Sequence, residues 1–205
     1  MCNTGGPGIC PTLPLGSNFF LDLLKIDEKI TRLVTEAGCP SCKGQLYRSD
    51  YQRKPRGGQI AAAGEEFTRR FSLCCGREGC RKRATPPSVR FLGRRFYLGA
   101  AVLVASIMRL VIAEPAELRK VTGIPAQTVE RWGRWWKTGF MASALFIVLR
   151  GRLLPPPDEE SLPRSLLEGV EEKGTAEARL VAVLRLLAPL TTSSVPDGAR
   201  FLREC

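Results

Sequence analysis

The sequence predicts a mainly α fold that carries one small β region, and three observations lead to it. Two short-spaced cysteine groups, CPSC at 39–42 and CCGREGC at 74–80, are accompanied by alternating, strand-like residues. From Phe96 onward apolar residues recur at helical spacing, with Pro and Gly where helices should start and stop. The charge is also uneven. Residues 43–95 carry fourteen Lys or Arg against four Asp or Glu, which is +10 of a formal net charge of +11.

Residues 1–17 lack the basic start of a signal peptide and are broken by Pro and Gly, so a disordered leader is expected. Residues 18–38 form the first helix: Ser17 or Asn18 can cap it, Phe19, Leu23, Ile26, Ile30, Leu33 and Val34 line one side, and Gly38 ends it. Within 39–95, QLYRSDY at 45–51 reads as a strand and KPRGGQ as a turn. A second strand is expected over 67–75, followed by an extended TPPSVRFLGRR. Residues 96–150 are helical, with helices over 96–112, Pro115–Thr122 and Pro125–Gly139, the last resuming as 140–149. Residues 151–174 read as a Pro-rich acidic linker. Residues 175–205 hold a C-terminal amphipathic helix and tail, apolar at Ala176, Leu180, Leu184 and Leu187.

The chain has eight cysteines and no histidine. Without a signal peptide the thiols favour metal binding or free thiols over disulfides, and the location is expected to be cytoplasmic. A metal here must be held by thiolates alone. Cys39-Pro-Ser-Cys42 and Cys75-x4-Cys80, two knuckles joined by a hairpin, describe a four-cysteine zinc ribbon and make Zn²⁺ the expected cofactor. Side chains alternate along a strand, so Phe67, Phe71, Leu73 and Cys75 share an apolar face, opposite Thr68, Arg70, Ser72 and Cys74. That favours Cys75 as the ligand. A bulge would invert the parity, so Cys74-x5-Cys80 stays open. Cys2, Cys10 and Cys205 have no partner spacing.

Four thiolates around a divalent ion leave about −2, which Lys43, Arg77, Arg81 and Lys82 are placed to offset. Arg81, Lys82 and Arg83, with Arg90, Arg94 and Arg95, exceed that need and are expected to face phosphate. Duplex DNA is the leading partner. In PAELRKVTGIPAQTVERWGRWW a short helix, a Gly turn and a second helix follow one another as in a helix-turn-helix, with Leu118, Ile124, Val129 and Trp132 as its small core. Arg119 stands where such a unit usually has a small residue. Ala126, Gln127, Glu130, Arg131 and Arg134 then face outward, Gln127, Arg131 and Arg134 toward base edges, with Arg119, Lys120 and Lys137 toward phosphates. A core helical hairpin clustering Trp132, Trp135 and Trp136 is the competing reading.

CPSCKGQLYRSDYQRKPRG, RRFSLCCGREGCRKRATPPSVRFLGRRFYLGA and TGIPAQTVERWGRWW resemble the small transposon-associated proteins of bacteria that join a zinc ribbon to a helix-turn-helix domain. The resemblance covers about residues 19–140. It implies DNA binding for a mobile element, at the nucleoid, and supplies no reaction.

No catalytic set is expected. Glu159, Glu160, Glu168, Glu171 and Glu172 lie in a hinge and an acidic helix rather than on a sheet that could hold two metals, and Tyr47, Tyr51 and Tyr97 lack a nucleophile's partners. The rival readings are the DNA-binding part of a transposase, performing strand transfer or nicking, and an RNA-binding ribbon. The apolar runs 98–108 and 140–149 are too short for a span of about 20 residues, so no membrane partner is expected. The C-terminal helix is expected to dock on this chain, with a second copy or a transposase as alternative partners.

Overall fold

The computed structural model describes residues 17–53, 64–92, 97–170 and 175–192. The expected leader apart from Ser17, together with Arg94, Arg95, Cys2, Cys10 and Cys205, lies outside these residues.

Helix α1 (Ser17–Ala37) opens the fold and ends at Gly38, whose φ of +72° turns the chain out of the helix. Strands β1 (Leu46–Arg48) and β2 (Tyr51–Gln52) follow. A short helix α2 (Gly64–Thr68) leads into β3 (Arg69–Arg70), β4 (Leu73–Cys75) and β5 (Arg83–Ala84). β4 is the centre of an antiparallel three-stranded sheet in the order β1-β4-β5, while β2 pairs with β3. β6 (Phe91–Leu92) and β7 (Tyr97–Leu98) form a last hairpin.

The helical part comprises α3 (Gly99–Arg109), α4 (Pro115–Thr122), α5 (Ala126–Trp135), α6 (Ala144–Arg150), α7 (Arg164–Gly169) and α8 (Ala176–Leu187). α4 starts on Pro115, where the missing N–H costs nothing, and ends at Gly123 with φ +69° and its N–H on the Arg119 carbonyl at 2.8 Å. A three-residue turn then enters α5. α5 widens into a π turn over Trp136–Phe140, and Ser143 restarts the chain as α6 by accepting the Phe146 N–H at 3.2 Å. Trp136 is fully buried, and its indole N–H donates to Ser106 Oγ at 3.0 Å, which ties the π turn to α3.

One large hydrophobic core holds most of this together. It takes Phe19, Leu23 and Ile30 from α1, Val89 just before β6, Phe91 from β6, and the inner faces of α3, α4 and α5. Leu162, Leu166 and Leu167 also belong to it, so residues 151–170 are not a linker: these three side chains pack inside while Leu154 stays exposed, and α7 follows Pro163. The C-terminal helix likewise spends its apolar face at home. Leu180, Val183, Leu184 and Leu187 are buried against this chain.

The strand expected over 67–75 is interrupted. Phe67, Phe71, Leu73 and Cys75 are buried as the alternation requires, but Arg70 and Ser72 are buried as well, so the other face is not solvated. Around them the backbone bonds to β1 and its turn: Asp50 Oδ1 accepts the Ser72 N–H at 3.1 Å, and the Ser72 carbonyl accepts the Ser49 N–H at 2.8 Å. Among the described residues no helix is long and apolar enough to cross a membrane.

Candidate metal centre

The four Sγ atoms of Cys39, Cys42, Cys75 and Cys80 lie within 4.8 Å of one another. Two knuckles bring them there. In the first, Cys39 donates its N–H to the Gly44 carbonyl at 2.9 Å, and its own carbonyl accepts from Lys43 at 2.8 Å, folding CPSCKG into a tight reversal. In the second, the Cys75 N–H reaches the Lys82 carbonyl at 3.0 Å, while the Arg77 carbonyl accepts from Cys80 at 3.1 Å and Arg81 at 3.3 Å. Each knuckle places the residue after its second cysteine in the left-handed region: Lys43 at φ +59° and Arg81 at +45°. Gly44 sits between the knuckles, where a Cβ would stand 3.3 Å from both Cys42 Sγ and Cys75 Sγ. A side chain there would crowd two of the sulfurs.

The Sγ pairs approach to 3.5 Å (Cys42 and Cys75) and 3.8 Å (Cys39 and Cys80), far beyond a disulfide bond of about 2.0 Å. Sulfurs ligating one ion tetrahedrally at about 2.3 Å stand about 3.8 Å apart, so the spacing suits four thiolates sharing one cation. The electrostatics point the same way. Backbone N–H groups of Ser41 and Cys42 lower the Cys39 thiol to about 6. The Arg77 amide also favours the Cys75 thiolate, but burial and the hydrogen bonds of Cys42, Cys80 and Cys39 outweigh it and push that thiol up to about 12. Sulfurs this close cannot all ionise without a positive charge among them, as expected of a cluster that takes a cation. A set of sulfur donors alone suits a soft divalent ion.

The buried cluster around the site is small: Val34, Cys39, Leu46, Leu73, Cys75 and Ala84, with Cys42 and Cys80 packed on it. So few apolar side chains cannot hold a ribbon together on hydrophobic burial alone, and ligation would supply the remainder. Cys74 is directed elsewhere. It lies on the outer side of β4, half-buried, with its Sγ 3.5 Å from the Arg81 carbonyl, outside the four-sulfur cluster.

The expected phosphate contacts divide. Arg81, Lys82 and Arg83 are exposed, and Arg83 donates to Ser72 Oγ at 3.0 Å and the Ser49 carbonyl at 3.3 Å. Arg90 is a correction: it is 1% exposed and cannot reach a phosphate. Its Nε donates to Asp27 Oδ2 at 2.7 Å, and its remaining donors reach the carbonyls of Phe67 (2.8 Å), Arg69 (2.9 Å) and Glu66 (3.4 Å). Phe71 and Phe91 stack on the guanidinium at 4.6 and 5.0 Å. Its charge is consumed inside the fold. Asp27 completes the network by accepting from Ser88 Oγ and from the Val89 N–H at 2.7 Å. Arg70, also buried, donates to the Pro86 carbonyl at 2.6 Å, and burial lowers its pKa against the opposing pull of Asp27. The signal for this network is in α1, since Asp27 falls on the apolar stripe of Phe19, Leu23 and Ile30, where a carboxylate needs a partner.

On α5, Val129 and Trp132 are buried, while Gln127, Arg131 and Arg134 are exposed at spacings of four and three residues. Lys137 is exposed on the π turn and pairs with Glu160 at 3.0 Å. Arg131 donates to Thr128 Oγ1 at 3.2 Å, and Glu130 pairs with Arg109 of α3. Arg119 and Lys120 are exposed on α4, so Arg119 does not occupy the space between the two helices.

No family model matches the chain, and comparison with curated proteins and with solved structures finds no match either.

Proposed function

We propose that this chain is a Zn²⁺-stabilised protein that binds duplex DNA, with α4 and α5 serving as a helix-turn-helix and the basic ribbon as a second contact. The observation that carries the reading is the division of α5: Val129, Trp132 and the adjoining Trp136 are buried, while Gln127, Arg131, Arg134 and Lys137 stand in solvent. A helix held by large apolar side chains on one face and offering amide and guanidinium groups on the other suits the major groove. There Gln can take adenine, and Arg guanine, by two-point hydrogen bonds. The left-handed Gly123 turn and the packing of α3 against both α4 and α5 support the same assignment.

In this reading Cys39, Cys42, Cys75 and Cys80 hold Zn²⁺, which supplies structural cross-linking and no reaction. Arg81, Lys82 and Arg83 add phosphate contacts, and selectivity comes from α5. A role at the ends or promoter of a bacterial mobile element, in the nucleoid, follows from the resemblance of the cysteine blocks and the α5 segment to transposon-associated proteins.

Selection of bound sequences from a random duplex pool tests the proposal. A defined motif, with affinity that falls steeply as salt rises, is the expected result. A flat salt response, or preference for structured RNA over duplex, would overturn it.

A further inference from the structure

The outward side of the ribbon sheet is used by neither the sulfur cluster nor the core. Residues directly opposite one another in antiparallel strands share a face, so the register Tyr47↔Cys74↔Arg83 sets these three in one row across β1, β4 and β5. On the inward side Leu46, Leu73, Cys75 and Ala84 are buried, whereas Tyr47 is 54% exposed. Its ring is not loose. A Cβ built on Gly76 would stand 2.3 Å from Tyr47 Cε2, so the ring lies directly on bare glycine backbone, and its hydroxyl donates to Gln45 Oε1 at 2.9 Å. One edge of the ring is thus supported and tethered while much of its surface faces solvent.

The rest of the row suits an anion. Arg83 is exposed yet steadied by Ser49 and Ser72, and Arg81 and Lys82 precede it in solvent. Cys74, between Tyr47 and Arg83 in the register, is a short side chain whose Sγ turns toward the Arg81 carbonyl at 3.5 Å, while the Arg83 guanidinium lies toward Ser49 and Ser72. Of the nearby acids, Asp50 is occupied by Arg48 at 2.7 Å, and Glu78 is exposed in the knuckle. Cations therefore outnumber free carboxylates here.

We infer that this outer face of the ribbon binds single-stranded DNA, an unpaired base stacking on Tyr47 while Arg81, Lys82 and Arg83 take its phosphates. Within a duplex both faces of every interior base are covered by its neighbours, so a fixed ring on a flat sheet gains a partner only where strands are separated. Stacking on an aromatic ring tolerates any base, since every base has a flat face to offer. The inference rests on the DNA-binding reading above and adds a second substrate form to it: α5 selects duplex, and the ribbon cations that follow its phosphates continue onto the unpaired strand where the duplex opens.

Fluorescence anisotropy with the full, zinc-loaded chain tests it, using a mixed-sequence strand of about twelve nucleotides and, in parallel, a duplex from the selected pool. Tyr47→Leu is expected to weaken single-strand binding about tenfold and leave duplex binding within about twofold, while Tyr47→Phe keeps both. Bound zinc is measured in each variant to show that the ribbon is folded. On the unaltered chain, photo-crosslinking to a bromouracil-containing strand is expected to label Tyr47. Unchanged single-strand affinity in Tyr47→Leu, crosslinks that avoid β1, or tighter binding of the matching RNA strand would overturn the inference. Duplex binding without single-strand binding sinks it and spares the DNA reading; failure of both forms sinks the two together.

Discussion

The ribbon and the helical core are held together by different means. The helical core buries about thirty apolar residues drawn from almost every element, whereas the ribbon cluster has six, two of them cysteines. Hydrophobic burial contributes roughly 25 cal/mol per Å² removed from water, so the large core can stand on packing, and the small one has to be cross-linked. The two also treat arginine in opposite ways: Arg90 and Arg70 are desolvated where ribbon and core meet, while Arg81 and Arg83 stay in water a few residues away. Proximity in sequence to a basic run therefore says little about which cations are free.

The largest effect that should separate the two regions is metal removal. Chelation, or Cys75→Ser, is expected to release the ion and collapse residues 39–84 while α3, α5 and α8 stay folded, since structural zinc contributes about 10–16 kcal/mol in small metal domains. Bound metal and hydrogen exchange read this out. Cys74→Ser should keep the metal, and equal metal loss in both variants would refute the assignment of Cys75 to the cluster.

Next comes the junction. Arg90→Met leaves the Asp27 carboxylate buried without its cation and is expected to lower global stability by about 3–5 kcal/mol in urea unfolding. Replacing Asp27 with Leu in the same chain should recover much of that loss. If Arg90→Met instead weakened DNA binding at unchanged stability, the buried network would be the wrong account of this residue.

Leu166→Ala comes next, with about 2–5 kcal/mol lost for a fully buried leucine. A change near zero would return residues 151–170 to the status of a linker. The smallest effects lie on α5, where Arg131→Ala and Arg134→Ala should each cost about 1–3 kcal/mol in affinity and relax preference at one base position. Lys137→Ala should cost less and equally for all sequences.

Some of this architecture was legible in the sequence, for reasons that can be named. Strand parity pointed to Cys75 because it shares with Leu73 the face of β4 that turns to the small core. Pro115, Gly123 and Pro125 marked the bounds of α4 and the entry to α5 because their backbone preferences are local. The misreadings are all tertiary. Arg90 looked like part of a basic surface because its partner, Asp27, lies sixty-three residues away. PPPDEESLPRSLLEG looked solvated because its prolines and acids mask Leu162, Leu166 and Leu167, whose burial depends on α8. Tyr47 reads from the sequence only as a nucleophile without partners, because what stands beside it depends on the register across three strands.

Helix α1 belongs to both regions: Phe19, Leu23 and Ile30 lie in the large core, and Val34 lies in the ribbon cluster. During synthesis this has a directional consequence. All four clustered sulfurs have been made by residue 80, yet the large core to which Phe19 and Leu23 belong extends to residue 188. Because chains are made from the N-terminus at about 5–20 residues per second, the ribbon can close on its ion several seconds before the C-terminal helices that complete the large core around α1 exist. Nascent chains stalled after residues 39–84 have cleared the ribosome, but before α8 has, are expected to protect Cys39 and Cys80 from alkylation in a zinc-dependent way. Protection that awaits α8 would reverse the order.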